Sequence, residues 1–566
     1  MSDAYLLWTI YQKNVELEQK IMAREGGASA LEDRKVLPRW RAPSESIDEL
    51  VAVRAPEAMR VRSGWIEKLT LDFESSPNAA SGRELSESAF ILGRDLPKDL
   101  REKISEAGFI LPSISRSKDT HLISSSDKSI SQSKIQELRS ILKNEPAQPL
   151  AWTELARYHL SRGNALKASK AMQCALSLAP ENRYVLRSAA RFFDLTGDPD
   201  QALHALKRSG RLSIDPWLLS ADIALNGDQR SNSLKIGMRM LSEEAKAPRN
   251  LTELAAAVGT VEHNNGRHKS AKKMIAQSLL DPNENSIAQA IYISQQDGKI
   301  KLSDEILNRP LTYEARTRRH FADADWKESM QQSVKWLRDE PFDSRPALLG
   351  SALSFDRTLT QQAYDIATEG LSCLPNDALL LNNRAVAAAY LGDFRQALLD
   401  VAHALKFNHN KPYLLATFGL IAYRLNYTEI GARAYGQAVS WLVQKKDRES
   451  TIRAYLFWLR EAVRVGQVNG EGEIAFARKI IDRFPNTDVV NEMNGLVGAI
   501  ADEKKNIQTI GSYSSVAQGI KESEILELGT KIAIPSDIVS LYSLMENKNP
   551  GLEFANRLTL DLLQQK

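Results

Sequence analysis

A pattern of small residues and one turn glycine recurs with a period of 34 residues and constrains this chain more than any other feature. In the first clear unit the pattern consists of Trp152, Leu155, Ala156, Gly163, Asn164, Ala168, Ala175 and Pro180. One period later the corresponding residues are Leu186, Ala189, Ala190, Gly197, Asp198, Ala202 and Ser209. A period of this length is typical of a solenoid, in which each unit packs only on its neighbours.

The positions within one unit predict a pair of antiparallel helices. Small side chains at Ala156 and Ala168 let two helices approach closely, while the larger residues fill the space to the next pair. Gly163 supplies a left-handed residue after the first helix, and Pro180 ends the second. This arrangement resembles the tetratricopeptide repeat (TPR) signature. The resemblance implies an all-α fold, an α-solenoid of stacked helical hairpins, here with a helical N-terminal extension.

The match recurs along the chain with varying quality. Good units are predicted at 251–284, 344–377, 378–411 and 412–445. Three units depart from the pattern, namely 215–250, 285–309 and 310–343, and the register between 215 and 343 stays open. We expect nine or ten units across residues 149–485.

Composition shifts predict four regions. Residues 1–112 form an N-terminal helical extension, in which the patterns at 64–73 and 84–92 indicate short helices. Residues 113–133 contain nine serines and are interpreted as a linker, because serine competes for backbone hydrogen bonds and adds no core. Residues 134–485 form the repeat array and 486–566 a C-terminal helical cap, in which 525–535 is ambiguous between strand and loop.

The bulk composition excludes several classes of protein. The 74 basic and 71 acidic residues nearly cancel, giving a formal charge of +3, which argues against nucleic-acid binding. Cys174 and Cys373 are too few for a disulfide framework or a metal site, and they fit a reducing cytoplasm. Neither a secretory signal nor a membrane-spanning apolar stretch is evident, so we expect a cytoplasmic protein.

No constellation of residues indicates catalysis. Phosphate-binding glycine loops, zinc-binding His-Glu-x-x-His and nucleophile elbows are all missing from the sequence. We therefore expect neither enzyme activity, nor a cofactor, nor a metal, and interpret the chain as a scaffold or adaptor that presents a concave groove to a protein or peptide. The alternatives are a regulatory partner of an enzyme, or an unrecognised activity in the N-terminal region.

The resemblance implies that the first helix of each hairpin lines the groove, and this yields two candidate binding patches. The first consists of Arg157, Arg187 and Arg191, which we expect to hold acidic groups of a partner. The alternative is a solvated face in which Glu154 and Asp194 pair locally with these arginines.

The second patch comes from the later repeats. Its members are Phe355, Asn382, Asn383, Tyr390, Tyr413, Tyr423 and Arg424. Aromatic groups at groove positions give a large contact area for a peptide, and asparagines can bind its backbone. The alternative is that Phe355 and Tyr390 pack between repeats as core.

An apolar helix is predicted at residues 3–24, with Trp8 and Tyr11 on one side. It is too apolar to stand free, so we expect it to pack on this chain. The alternative is a docking helix for a partner or a second copy, which would give a homo-oligomer.

Overall fold

The computed structural model describes residues 37, 39–42, 64–108, 126–227, 231–243, 250–297, 300, 302–356, 359–407, 411–444, 447–467, 471–482, 490, 493–498, 500 and 520–531. Within these ranges every regular element is an α-helix, which confirms the predicted all-α class. The predicted helix 3–24 lies outside the described residues. Two compact units divide the chain, and the boundary falls between Pro346 and Ala347.

The first unit contains sixteen of the described helices. They are α1 (Gly64–Ser75), α2 (Ala79–Ile91), α3 (Lys98–Glu106), α4 (Ser126–Asn144), α5 (Pro149–Leu160), α6 (Ala165–Leu178), α7 (Arg183–Leu195), α8 (Pro199–Lys207), α9 (Pro216–Asn226), α10 (Asn232–Ser242), α11 (Thr252–Asn264), α12 (His268–Ser278), α13 (Glu284–Asp297), α14 (Asp304–Leu307), α15 (Tyr313–Ala322) and α16 (Trp326–Asp339). From α5 onward they form six consecutive hairpins, and from α7 to α15 each first helix contacts the first helix of the next hairpin.

The second unit continues the same pattern. Its helices are α17 (Ser344–Asp356), in which the boundary falls, α18 (Thr360–Cys373), α19 (Ala378–Leu391), α20 (Phe394–Phe407), α21 (Pro412–Arg424), α22 (Thr428–Gln444), α23 (Arg448–Arg464), α24 (Glu471–Ile481) and α25 (Glu522–Lys531). Here too the first helices α19, α21 and α23 contact one another in order. A further helical stretch is described at 493–498.

The turns inside the hairpins repeat with the sequence period. Gly163 and Gly197, 34 residues apart, have φ angles of 68° and 79°, in the left-handed region where a side chain is disfavoured. The unit 310–343 lacks a turn glycine, and Ala324 adopts this conformation instead, with φ of 58°. The left-handed turn is therefore kept where the sequence pattern lapses.

Close helix contacts explain the small residues. Ala156, Ala168, Ala190 and Ala202 are completely buried, as the repeat pattern predicts. In the second unit Gly419 and Gly431 face each other across a hairpin. A Cβ atom at Gly419 would lie 2.6 Å from the ring of Tyr435, so this contact admits only glycine. The 34-residue spacing and these contacts make the array a TPR-like α-solenoid.

Two sequence expectations need adjustment. Helix α4 begins at Ser126, so the last part of the segment interpreted as a serine linker is helical. Helix α25 covers 525–531 of the stretch 525–535, for which the sequence allows either strand or loop, and 532–535 lie outside the described residues. In both places the local composition did not predict the helix, although each helix buries an apolar residue, Leu138 in α4 and Ile525 in α25.

The N-terminal extension packs on the array within the first unit. Helices α1, α2 and α3 share a core of their own around Phe73, Leu85 and Ile104. Helix α2 also contacts α5 and α7. The fully buried Arg183 of α7 forms ion pairs with Glu84 and Glu87 of α2. The extension therefore belongs to the same compact unit as the repeats up to Pro346.

Among the described helices, none combines the length and the apolar character required to cross a lipid bilayer.

Candidate functional site

The three arginines of the first predicted patch all bind carboxylates of this chain. Arg157 pairs with Glu154 at 2.5 Å, the local pairing that the sequence left as an alternative. Arg187 donates two hydrogen bonds to Glu253, at 2.7 and 2.9 Å. Arg191 lies 3.0 Å from Glu340 across 149 positions of sequence.

These arginines are therefore part of the folded interior of the first unit. The side chain of Arg187 is 12% exposed, and its guanidinium lies 4.4 Å from the centre of the Trp217 ring. Arg191 is only 9% exposed and also approaches Asp343 at 3.6 Å. The contact between Arg191 and Glu340 brings the second and sixth hairpins of the unit together.

The second predicted patch is mostly buried between repeats. Asn382 accepts a 2.6 Å hydrogen bond from Thr417, and Asn383 donates one of 2.9 Å to Ser351. Tyr413 is 6% exposed and Tyr423 is 1% exposed. Both tyrosines are buried, and the Tyr423 hydroxyl accepts a 3.0 Å hydrogen bond from Trp458 of the next hairpin.

Two members of that patch lie near a buried ion cluster, and one falls outside the description. The hydroxyl of Tyr390 accepts a 2.6 Å hydrogen bond from Arg460, and the tyrosine is half-buried. Arg424 donates two hydrogen bonds to Glu461, at 2.8 and 3.0 Å. The side chain of Phe355 lies outside the described residues.

Glu461 is the centre of this cluster in the second unit. It is fully buried and is bound by Arg424 of α21 and by Arg460 and Arg464 of its own helix. Burial alone would raise the pKa of Glu461, but the three guanidinium groups outweigh it and lower the pKa to about 2. All the charges in this cluster come from the repeats themselves.

The first unit contains a different arrangement, which the sequence did not reveal. Arg39, Trp40 and Arg41, here called the Arg-Trp-Arg segment, form no helix and lie against the repeats. We call the surface that they contact the acidic groove, which consists of Tyr184, Phe192, Glu284, Glu314, Asp339, Glu340 and Phe342.

Trp40 provides the apolar contact. It is 2% exposed, and its ring lies 6.0 Å from the Phe192 ring and 5.8 Å from the Phe342 ring, measured between centroids. Phe192 belongs to the second hairpin, whereas Phe342 follows the sixth. The indole therefore fills a space between hairpins that are far apart in sequence.

The two arginines bind carboxylates on either side of that indole. Arg39 donates hydrogen bonds to Glu340 and, at 3.5 Å, to Glu314. Arg41 binds Asp339 with two hydrogen bonds of 2.7 and 3.1 Å, and it contacts Glu284 at 3.3 Å. Such forked contacts between guanidinium and carboxylate groups fix both position and orientation.

Burial and charge act against each other at these carboxylates. Burial raises the pKa of Asp339 above its ordinary value, even though Arg41 and Arg39 lie beside it. Burial also opposes the charged form of Glu340, but there Arg39 and Arg191 outweigh it and the pKa is lowered. The ionised groove thus depends on guanidinium groups held close to it.

The Arg-Trp-Arg segment also makes one backbone contact with the groove. The hydroxyl of Tyr184 donates a 2.8 Å hydrogen bond to the carbonyl oxygen of Arg41. Leu37 and Ala42, on either side of the segment, are 3% and 5% exposed. Pro38 and Pro43 flank it in the sequence and favour extended backbone. This Pro-bounded Arg-Trp-Arg sequence was the signal that could have located the site.

Searches against known proteins return fold likenesses only. No family profile matches the sequence, and no curated protein matches it. Among solved structures, yeast Tom70 covers 68% of this chain and 100% of its own, at 13% identity and a TM-score of 0.28. The hetero-tetramer Cut9-Hcn1 of APC/C covers 72% of this chain and 95% of its own, at 12% identity and a TM-score of 0.29. The TPR domain of P58(IPK) covers 73% of this chain and 98% of its own, at 14% identity and a TM-score of 0.23. At these scores the likenesses carry no argument, and the fold assignment rests on the hairpin geometry above.

The described histidine, cysteine and acidic side chains are the remaining candidates for a site. In these ranges no group of three or more His, Cys, Asp and Glu side chains is placed to hold a metal ion. Cys174 and Cys373 are free thiols, the first half-buried and the second buried. The acidic groove, with its bound segment, is the most specific arrangement in the described part of the chain.

Proposed function

We propose that the protein is a non-catalytic scaffold whose first unit binds an extended segment of a partner protein in the acidic groove. One observation carries this proposal: a stretch of non-helical chain already lies there with its aromatic ring buried and both flanking arginines bound to carboxylates. Side-chain pockets for an aromatic anchor with charged neighbours are typical of peptide recognition.

The proposal revises the role of the first predicted patch. Arg187 and Arg191 were expected to bind acidic groups of a partner. In the proposed function Arg191 instead holds the groove carboxylate Glu340 in place, and Arg187 is bound to Glu253 outside the groove. The partner segment accordingly has to bring positive charge and an aromatic side chain.

A peptide selection tests this function. The bait is the full chain carrying Trp40→Ala, which removes the anchor of the chain's own segment. A library of random twelve-residue peptides is selected on it. Each recovered peptide is then measured against the same bait with Glu284→Gln and Asp339→Asn added. We expect peptides whose affinity falls at least tenfold on that second bait.

A charge-matched control guards against nonspecific attraction. In it, Asp304→Asn and Glu305→Gln remove the same two charges at exposed positions of α14. Recovered peptides should keep their affinity for this control. If no recovered peptide distinguishes the groove variant from the control, the proposed function is wrong.

A further inference from the structure

The acidic groove has more negative than positive charge of its own. Ion pairs connect six carboxylates in and beside the groove: Glu284, Glu314, Asp339, Glu340, Asp343 and, through Arg191, Asp194. The repeats supply three guanidinium groups to them: Arg191, Arg318 and Arg345. Arg39 and Arg41 supply two more, so within this cluster the bound segment reduces the excess of carboxylates over guanidinium groups from three to one.

The fit of the segment is nevertheless incomplete. Within the described residues, the indole Nε1 of Trp40 and the Nε of Arg39 are buried and have no hydrogen-bond acceptor. A buried donor without a partner weakens binding, because the water that it gave up is not replaced. A segment that satisfies these donors, or lacks them, avoids this cost.

We infer that the acidic groove recognises an Arg-aromatic-Arg sequence, and that the chain's own Arg-Trp-Arg segment occupies it as an internal competitor of such a partner. This inference rests on the proposed function and names its partner class and its regulation. The partner is a protein segment in which one aromatic residue has an arginine on each side.

The competition follows from tethering. A segment of the same chain is present at a high effective concentration, commonly in the millimolar range for a short connection. A free ligand can bind only those molecules in which the groove is vacant. Its apparent Kd is therefore its intrinsic Kd divided by the vacant fraction, so a small vacant fraction means weak apparent binding. Weakening the internal segment must raise the affinity for a partner without any change in the groove.

The experiment is a titration of a fluorescent peptide that carries residues 34–45 of this chain. It is added to the full chain, to the Arg41→Ala variant and to the triple variant Arg39→Ala, Trp40→Ala, Arg41→Ala. We expect weak binding to the unaltered chain, at least tenfold tighter binding to the triple variant, and an intermediate value for Arg41→Ala. Circular dichroism melts check that each variant is folded, and Arg41→Ala, which alters a partly exposed residue, serves where the triple variant does not fold.

Two controls make the result specific. A peptide with both arginines changed to glutamate should not bind any variant. When Glu284→Gln and Asp339→Asn are added to the triple variant, its tighter binding of the peptide should be lost. When Asp304→Asn and Glu305→Gln are added instead, the tighter binding should remain.

Failure of this inference is distinguishable from failure of the proposed function. Equal affinity of the peptide for the unaltered chain and for folded variants overturns the inference. If the random-peptide selection then still yields groove-dependent peptides of another chemistry, the proposed function stands without it. If neither the titration nor the selection shows groove-dependent binding, both are wrong.

Discussion

The acidic groove of the first unit and the Glu461 cluster of the second unit are built from the same kind of repeat but neutralise their carboxylates differently. Around Glu461 all three arginines belong to the hairpins themselves. In the acidic groove, two of the guanidinium groups come from a segment outside the hairpins, some 240 to 300 positions away from the carboxylates that they bind. We expect a site neutralised by its own repeats to behave as core, and a site neutralised by a separate segment to exchange that segment for another.

Among the substitutions considered, Glu461→Gln should lower the free energy of unfolding most, and it sharpens the comparison between the two sites. The buried Arg460 and Arg464 and the half-buried Arg424 would lose their common carboxylate, so we expect a loss of about 3 to 5 kcal/mol in the free energy of unfolding of the second unit. Urea denaturation followed by hydrogen exchange in α23 measures it. A loss below about 1 kcal/mol would show that this cluster, too, is dispensable to the core.

Replacing a small residue at a close helix contact, in contrast, should destabilise both units equally. Ala202 and Ala397 are both completely buried at small-residue positions of second helices. Replacing either by arginine overpacks the contact and buries an unpaired charge, so we expect about 3 kcal/mol of destabilisation in each case. Thermal denaturation measures it, with His204→Arg, an exposed position of the same helix as Ala202, as control. If Ala202→Arg is as stable as the control, the repeat register is wrong there.

Acid should weaken the second unit through Glu461. Because its pKa is lowered to about 2, the stabilisation from its charge is fully present above the ordinary value of 4.5 and is lost as the pH falls toward 2. The loss amounts to up to about 3 kcal/mol, at 1.4 kcal/mol for each unit of pKa. Hydrogen exchange in α23 between pH 5 and pH 2.5 measures it, and the Glu461→Gln variant should show a flatter dependence. An equally steep dependence in that variant would assign the effect to other groups.

The Asp339→Asn substitution should have the smallest effect. Burial raises the pKa of Asp339, so its charged form is disfavoured, and the small stabilisation from its protonated form is lost as the pH rises through that pKa. Arg39 keeps Glu340 and Glu314 as partners, and Arg41 keeps Glu284. We expect a change below about 1 kcal/mol at pH 7, measured by urea denaturation. A loss as large as that of Glu461→Gln would remove the distinction between the two sites.

The sequence predicted local structure well and the site poorly, for a physical reason. Turn glycines such as Gly163 and buried alanines such as Ala202 are determined by contacts within one hairpin, which the 34-residue period encodes directly. The contact between Arg191 and Glu340 depends on small rotations accumulated over several hairpins, which no single repeat encodes.

The contacts of the predicted groove residues are not encoded by the repeat pattern, for a related reason. The repeat pattern assumes an open groove, so it assigned Arg187 and Tyr423 to a solvent-facing surface. In the structure one is bound to Glu253 and the other is buried between repeats. The Arg-Trp-Arg segment lies outside the periodic region, where no pattern indicated what it binds.

The placement of the Arg-Trp-Arg segment in the acidic groove is the central claim, and a thiol-labelling rate tests it most directly. Ala42, beside the segment, is 5% exposed. It is changed to cysteine in a chain whose two native cysteines are replaced by alanine. We expect labelling at least 100-fold slower than that of the same cysteine in a free peptide, and faster labelling when Glu284→Gln and Asp339→Asn are added. Labelling at the rate of the free peptide in the folded chain would contradict the account.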